Sequence, residues 1–262
     1  MDLGLKNKSC LVLASSSGLG KAMAMSLARE GAKVTLFSHN EEKLRAAQAD
    51  IEEKTGNKPN YCVGSVTNAA DIAAAVKSAH DFGGPIWALV NNSGGPKPGT
   101  FDAFDDAAWQ GAYELCLLSY IRAIRAVLPD MRANGGGRIL NSTSSSVKAV
   151  LDNLLLSNTF RMGVMGLSKT LSQELGKDNI LVNVIAPGRI GTERIDQLDA
   201  VRAEKAGKTV EEIQKAAFAT IPLGRYGRPE EYGDLAAFLC APSNTFITGQ
   251  TVLVDGGMVK AF

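Results

Sequence analysis

The stretch LVLASSSGLGKAMAMSLA, residues 11–28, decides the fold of this chain of 262 residues. An apolar run, a tight turn of serine and glycine, and an amphipathic helical pattern follow one another without a break. Such a turn aims backbone N–H groups and a helix N-terminus at one point, which favours a pyrophosphate group. Taken alone, the segment also fits a strand-to-helix turn that binds no ligand, so the prediction of a nucleotide site depends on further motifs in the chain.

Strand and helix patterns alternate on both sides of this segment. Short apolar runs predict seven strands, at residues 10–14, 33–38, 61–64, 87–91, 138–143, 180–186 and 250–255. Apolar residues spaced three and four apart predict helices between them, at residues 18–30, 41–53, 69–80, 107–132, 151–175 and 229–239. Strands that are apolar along most of their length suit a sheet covered on both faces. The alternation therefore predicts an α/β fold: one doubly wound domain over residues 1–262, with a seven-stranded parallel sheet between helices.

The alternation breaks at about residues 190–225, where a charged helical stretch precedes the last helix. Connections of this length between the elements of a compact domain are uncommon and often functional. We expect this segment to form a helical lid over the open edge of the sheet.

Composition excludes several classes of function. Lys and Arg total 28 and Asp and Glu total 27, so no global field recruits nucleic acid or an anionic membrane. No apolar run approaches the roughly 18 residues that cross a bilayer, and residues 1–10 carry no signal-peptide pattern. Four cysteines lie far apart without a CxxC pair, which predicts neither a metal site nor a disulfide framework. We expect a soluble protein of the reducing cytoplasm that acts on a small molecule.

Six segments then carry a specific resemblance. They are ASSSGLG (14–20), LVNNSGG (89–95), GRILNSTS (137–144), VNVIAPGRIGT (182–192), IPLGRYGRPEE (221–231) and FITGQTVLVDGG (246–257). In order and spacing, across essentially the whole chain, they resemble the short-chain dehydrogenase/reductase family. The resemblance implies a Rossmann-type domain and a nicotinamide dinucleotide cofactor.

The resemblance also implies a set of cofactor-binding residues. Ser16, Ser17, Gly18 and Leu19 would surround the phosphates; Ser65 and Val66 would meet the adenine; Asn92 and Gly94 would line the adenosine ribose; Pro187, Gly188, Ile190 and Thr192 would hold the nicotinamide amide. Two positions depart from the family pattern. Ala14 stands where the first glycine of the turn is usual, and Ser65 stands where an aspartate commonly meets the adenine amine. A methyl group at position 14 crowds the turn, while a serine hydroxyl still forms hydrogen bonds, so both changes weaken binding without abolishing it.

Cofactor choice is read at the end of the second strand. Enzymes that use NAD place a carboxylate there for the ribose hydroxyls, whereas a 2′-phosphate is favoured where that carboxylate is missing. Ser38, His39 and Asn40 occupy this place without an acidic residue. We therefore predict NADP(H) rather than NAD(H), with the alternative that His39 is a surface histidine of no special role.

The catalytic positions of the family are changed. The resemblance implies a serine, a tyrosine, a lysine and an asparagine. Ser144 keeps the serine position, but Ser157 stands in the tyrosine position, Arg161 in the lysine position and Cys116 in the asparagine position. No tyrosine occurs within residues 121–225, so a shifted register does not restore a phenol.

Elementary chemistry limits the replacements. A serine hydroxyl is a far weaker acid than a phenol, and an arginine stays protonated, so Ser157 and Arg161 do not simply imitate a tyrosine and lysine pair. Loss of a positioned general acid typically costs about 10²- to 10⁴-fold in rate, which still leaves room for hydride transfer. Arg161 can direct its N–H groups to the nicotinamide ribose, or to a substrate carboxylate or enolate oxygen that Ser144 also reaches.

Each of these residues also has a purely structural interpretation. Ser144 can cap the next turn, Arg161 can serve in a structural ion pair, and Cys116 can be an inert core thiol. Lys97 and Lys148 can line the mouth of the cleft or simply be solvated.

Three functional hypotheses remain. The first is an atypical short-chain dehydrogenase/reductase that transfers a hydride to or from a carbonyl or an activated C=C bond. The second is a catalytically silent nucleotide-binding relative, and the third a non-redox enzyme in which Ser144 and Arg161 hold an oxyanion, resembling the halohydrin dehalogenases. Apolar faces in residues 115–128 and 151–157, with the family's habit of pairing such helices between subunits, predict a homo-oligomer, either a dimer or a homotetramer.

Overall fold

A computed structural model describes residues 2–261 as one sheet with helices on both of its faces. The strands are β1 (Ser9–Leu13), β2 (Lys33–Ser38), β3 (Asn60–Val63), β4 (Ile86–Asn91), β5 (Gly137–Ser142), β6 (Ile180–Pro187) and β7 (Thr251–Val254). The helices are α1 (Gly18–Arg29), α2 (Glu41–Thr55), α3 (Ala69–Gly83), α4 (Asp106–Tyr113), α5 (Ser119–Ala133), α6 (Leu155–Glu174), α7 (Glu193–Ala206), α8 (Val210–Phe218) and α9 (Pro229–Cys240). All strand pairs are parallel, in the order β3-β2-β1-β4-β5-β6-β7. The predicted seven-stranded, doubly wound α/β fold is confirmed.

Burial on both faces explains the apolar strands. Every residue of β1 and β4 is buried. Side chains alternate between the two faces of a strand, so neighbouring residues enter different cores. Val12 packs with residues of α1, α2 and α9, whereas Leu11 and Leu13 pack with residues of α3 and α5.

The sheet reverses its winding direction at β1 and β4, which pair with each other. The chain builds β2 and β3 on one side of β1, and then β4 to β7 on the other. In a doubly wound sheet, the crevice outside the carboxyl ends of the strands at such a switch point is the usual ligand site.

Two predicted helices differ from the structure. The helix predicted at residues 151–175 begins only at Leu155, because Asn153 takes a left-handed conformation with φ of 59° and Leu154 bridges to Gly99. The helix predicted at residues 107–132 is α4 and α5 joined by a wide π-helical turn, Glu114–Leu118. Single π-helical turns inside α-helices are frequent at functional sites.

The charged stretch before the last helix forms α7 and α8. Gly207 ends α7 in the left-handed conformation. Thr209 and Glu212 then start α8 with a capping box, in which each side chain binds the other residue's backbone N–H. None of the helices within residues 2–261 is long and apolar enough to cross a membrane.

Candidate active site

A cleft of about 550 Å³ opens at the carboxyl ends of the strands around the switch point. It is lined by the turn between β1 and α1, the ends of β2, β3 and β4, and the start of α7. Twelve of the predicted cofactor residues line it together: Ala14, Ser16, Ser17, Gly18, Leu19, Ser38, His39, Ser65, Val66, Asn92, Gly94 and Thr192.

The turn after β1 has an unusual backbone conformation at two positions. Ala14 has φ of 46° and Gly18 has φ of 54°, so both lie in the left-handed region. A Cβ on Gly20 would overlap the carbonyl oxygen of Ala14 and lie 2.8 Å from the Asn92 Nδ2 atom. That amide nitrogen donates to the Ala14 carbonyl at 3.2 Å, so the turn packs closely against Gly20 and Asn92.

The N-terminus of α1 faces this cleft. Ser17 is its N-cap residue, makes no side-chain capping bond, and no acidic residue lies in the first turn. The first N–H groups of a helix have no partner within the helix and attract negative charge. The residues present therefore fit the pyrophosphate of a dinucleotide.

The rim near the end of β2 contains a cation that sequence reasoning missed. Lys43 lines the cleft beside Ser38 and His39. Asn40 lies outside the cleft lining and caps α2, accepting from the Lys43 N–H at 2.9 Å. The Ser16 hydroxyl donates to the Ser38 hydroxyl at 3.0 Å, so two serines lie side by side in the cleft that Lys43 also lines. The sequence could have indicated Lys43, because it lies in the first turn of a helix that starts just after the end of β2.

The side chain of Ser65 bonds within its own loop. Its hydroxyl lies 2.8 Å from the Thr67 hydroxyl, and its N–H donates to Asp71 at 2.9 Å. Ser65 lines the cleft with its hydroxyl already bound to Thr67, and the neighbouring Val66 adds an apolar side chain to the lining.

The segment predicted to hold the nicotinamide amide follows β6. Pro187 ends the strand, and the Gly188 N–H donates to the Val254 carbonyl at 2.9 Å. A Cβ on Gly188 would lie 2.6 Å from Asp255, so only glycine fits there. Ile190 is buried and bridges to Gly227, which fixes the backbone that leads to Thr192.

The serines predicted to act on substrate lie at the end of β5 and at the start of α6. The Ser144 hydroxyl accepts from the Ser146 N–H at 3.2 Å and caps a short 3₁₀ turn. Its own proton stays available. Ser157 is only 9% exposed, and its hydroxyl makes no hydrogen bond within the described chain.

Arg161 is buried in a different arrangement from any that the sequence predicted. Its side chain is 4% exposed, and no carboxylate of residues 2–261 forms an ion pair with it, so the ion-pair interpretation is wrong. Nη1 donates to the Tyr120 hydroxyl at 2.8 Å and to the Ser142 carbonyl at 3.3 Å. Nη2 donates to Ser93, whose hydroxyl is 3.2 Å away, and to the Gly94 carbonyl at 3.2 Å. The guanidinium braces the ends of β4 and β5.

Tyr120 is the second residue that sequence reasoning missed. It comes from α5, is fully buried, and its hydroxyl donates to the Ser142 carbonyl at 2.7 Å. Burial raises the pKa of Tyr120, and the nearby charge of Arg161 opposes that shift only in part. Its phenol therefore stays protonated and acts as a support for Arg161. No local sequence pattern pairs residues 41 positions apart.

Three candidates of the sequence analysis remain: Cys116, Lys97 and Lys148. Cys116 is buried in the π-helical turn, and burial raises the pKa of its thiol. A protonated thiol is a poor nucleophile. Lys97 and Lys148 are exposed, and Lys97 also lines a cavity of about 540 Å³ next to the cleft.

Fold and cleft together define a class: a doubly wound α/β protein with its ligand site at the carboxyl ends of parallel strands. The family described as enoyl-(acyl carrier protein) reductase matches residues 13–259. The chain belongs to the short-chain dehydrogenase/reductase family.

Several relatives match over nearly the whole chain. The 3-oxoacyl-(acyl-carrier-protein) reductase of Thermotoga maritima is 32% identical over 97% of this chain and 99% of its own length. The 7alpha-hydroxysteroid dehydrogenase of Escherichia coli is 29% identical over 99% of this chain and 97% of its own. Among solved structures, the L-sorbose reductase of Gluconobacter frateurii, complexed with NADPH and L-sorbose, is 32% identical, has a TM-score of 0.95 and covers 100% of both chains.

Proposed function

We propose that this protein is an NADP(H)-linked oxidoreductase that transfers a hydride to or from a carbonyl or an activated C=C bond. The cleft at the switch point carries the proposal, because its lining combines a tight turn, a free helix N-terminus and a cationic rim. The L-sorbose reductase structure holds NADPH, and an NADPH-dependent reductase of bacilysin biosynthesis, 28% identical, has a TM-score of 0.92.

The chain's own residues divide the binding of the cofactor. The α1 N-terminus with Ser17 and Gly18 meets the pyrophosphate, and Lys43 with Ser38 meets the 2′-phosphate. Bound NADPH supplies the hydride. The segment from Pro187 to Thr192 orients its nicotinamide end.

We propose that Ser157 and Arg161 occupy the positions of the family's tyrosine and lysine. Ser144 and Ser157 then donate hydrogen bonds to the substrate oxygen, and the proton comes from water. Arg161 contributes a fixed positive charge from behind the strand ends instead of a hydrogen bond to the reacting oxygen, because its Nη1 and Nη2 groups are bound to protein acceptors. A preorganised charge near a developing oxyanion stabilises the transition state.

A catalytically silent nucleotide-binding protein is the second candidate. The observation that favours it is the same commitment of Arg161 to protein acceptors. Under this alternative, NADPH binds but is not oxidised by any carbonyl or enone substrate.

Binding and turnover separate the two candidates. NADPH and NADH are titrated by calorimetry, and NADPH oxidation is then followed with a panel of aldehydes, ketones, diketones and enones. The redox proposal expects tighter binding of NADPH and turnover of at least one carbonyl or enone. Failure of both cofactors to bind at millimolar concentration refutes it, and binding without any turnover favours the silent protein.

A serine series tests the site. Ser144→Ala is expected to lower kcat about 10²-fold, the effect of losing one donor to a developing oxyanion. Ser146→Ala is the matched control, because the buried Ser146 hydroxyl has no hydrogen-bond partner among the described residues. Equal rates for the two variants would remove Ser144 from the proposed site.

We also propose that the chain forms a homo-oligomer through the apolar faces in residues 115–128 and 151–157, which lie in the π-helical turn with α5 and at the start of α6. Met162, on α6, is 44% exposed. Light scattering after size exclusion tests this, and a monomer at all concentrations would contradict it.

A further inference from the structure

Two guanidinium groups flank one short segment, Gly94 and Gly95, where the cleft meets a neighbouring cavity: Gly94 lines the cleft and Gly95 lines the cavity. From inside the protein, Arg161 Nη2 donates to the Gly94 carbonyl at 3.2 Å. From the lid, Arg194 in the first turn of α7 lies directly on Gly95: its Nη2 is 2.8 Å from the place that a Cβ on Gly95 would occupy. Glycine at position 95 is therefore what allows the Arg194 side chain to reach this part of the cleft.

Neither guanidinium is neutralised by the protein. Within residues 2–261, no carboxylate oxygen lies within 4.0 Å of a side-chain nitrogen of Arg161 or Arg194. Glu193 lines the same cleft but makes no ion pair with either of them. Asp199, the buried carboxylate of the lid, is bound to the Tyr226 hydroxyl at 2.7 Å and to Arg202 at 3.4 Å.

A buried or partly buried cation without a counter-ion is costly unless a ligand supplies the charge. Arg161 is 4% exposed, and its partners are neutral carbonyl and hydroxyl groups. Arg194 is exposed, so the cost of burial applies to Arg161 alone. Arg194 adds a second positive charge on the open side of the same segment, and its planar fork matches a carboxylate. In the proposed function the anionic parts of the dinucleotide bind elsewhere, at the α1 N-terminus and at Lys43, both of which line the cleft.

We propose that the substrate is an oxo acid whose carboxylate binds Arg194 over Gly95, beside the cofactor contact Gly94, with Arg161 as the fixed charge behind this segment. The inference rests on the proposed redox function and names its substrate class. The ketone carbonyl accepts a hydride at carbon from NADPH and a proton from water at oxygen. It gives a hydroxy acid and NADP⁺, and the carboxylate is unchanged.

The test compares each 2- or 3-oxo acid with its methyl ester, which keeps the carbonyl and removes the charge. In the wild-type protein the acid is expected to have the larger kcat/KM. Arg194→Gln should lower kcat/KM for the acid about 10- to 100-fold, the usual loss of a charge-assisted hydrogen bond, and leave the ester within about threefold. Gly95→Ala should act in the same direction, because the new methyl group displaces the guanidinium. Arg194→Lys keeps the charge and should retain part of the preference.

Lys205→Gln, an exposed cation in the last turn of α7, is the matched control and should change neither substrate. The Kd for NADPH should be the same in the wild type and in Arg194→Gln. Equal kcat/KM for acid and ester in the wild type overturns the inference but leaves the redox function standing. The inference is also overturned if Arg194→Gln binds NADPH more weakly than the wild type and still prefers the acid to the ester, because Arg194 would then bind the cofactor and not the substrate.

A binding measurement covers the case in which no oxo acid is reduced. Propionate and propionamide are titrated by calorimetry into the protein with and without NADP⁺. Binding of propionate but not of propionamide, with loss of propionate binding in Arg194→Gln, supports the carboxylate site. It does so even if NADPH does not bind, although the absence of NADPH binding would refute the redox function. Equal or absent binding of both compounds overturns the inference.

Discussion

Ala14→Gly should stabilise this protein. Ala14 follows β1 with φ of 46°, in the region that glycine enters freely and that an L-residue with a Cβ avoids. The conformation is imposed from both sides: Asn92 binds the Ala14 carbonyl at 3.2 Å, and Gly20 packs against the same oxygen. The turn therefore keeps its shape when alanine is present, and the strain remains in the folded state.

The size of the effect is a difference of two opposing contributions. A left-handed conformation costs an L-residue about 1–2 kcal/mol, which glycine removes. Glycine also makes the unfolded chain more flexible, which offsets about 0.4–1 kcal/mol of that gain. We expect the free energy of unfolding to rise by about 0.5–1 kcal/mol, which for a domain of this size is a Tm increase of about 1–4 °C.

The assay is thermal unfolding of both proteins under identical conditions, with the Kd for NADPH measured in parallel. Asn7→Gly is the matched control, because Asn7 also has a positive φ, of 62°, but asparagine tolerates this region. The control should give no stabilisation. A lower Tm for Ala14→Gly, or an equal gain in both variants, would refute the assignment of strain to Ala14. NADPH should bind Ala14→Gly at least as tightly, since the methyl group lines the cleft.

Three further predictions concern charges. Arg161→Lys should lower the free energy of unfolding by about 1–3 kcal/mol, because a lysine leaves buried acceptors of the Arg161 site without donors; urea unfolding checks this, and unchanged stability contradicts it. Lys43→Gln should weaken NADPH about 10-fold and NADH much less; an equal loss for both cofactors, by calorimetry, would show that Lys43 does not read the 2′-phosphate. The pKa of Glu231 is lowered to about 2, mainly by its hydrogen bond with Arg225. The ionised Glu231 side chain therefore stabilises the fold at pH values above the ordinary pKa of a glutamate, and this stabilisation is lost as the pH falls through about 2. The Tm difference between wild type and Glu231→Gln should therefore shrink on acidification towards pH 2, and a constant difference would contradict this.

Much of the site could be located from the sequence because its residues lie next to strand ends. In a parallel sheet the carboxyl ends of all strands meet at one edge, so Ser16, Ser38, Ser65 and Asn92 converge once the strands are recognised. Lys43 was missed because it lies one helical turn beyond the strand end. The start of α6 was misjudged because Leu151 and Leu154 continue the apolar spacing of the helix, while a bridge to Gly99 holds that segment extended.

The sequence by itself determined the doubly wound sheet, the place of the cleft and the residues at its floor, since these follow from local periodicity and from glycine and serine turns. Only the tertiary structure decided what Arg161 does. Its partners Tyr120, Ser142 and Gly94 come from three other segments of the chain, and no local pattern specifies which acceptors surround a buried cation. The same holds for Arg194, whose approach to Gly95 depends on where α7 is placed relative to the segment after β4. Hydrogen bonds and charge pairing act through space, so their outcome is fixed only when distant segments are brought together.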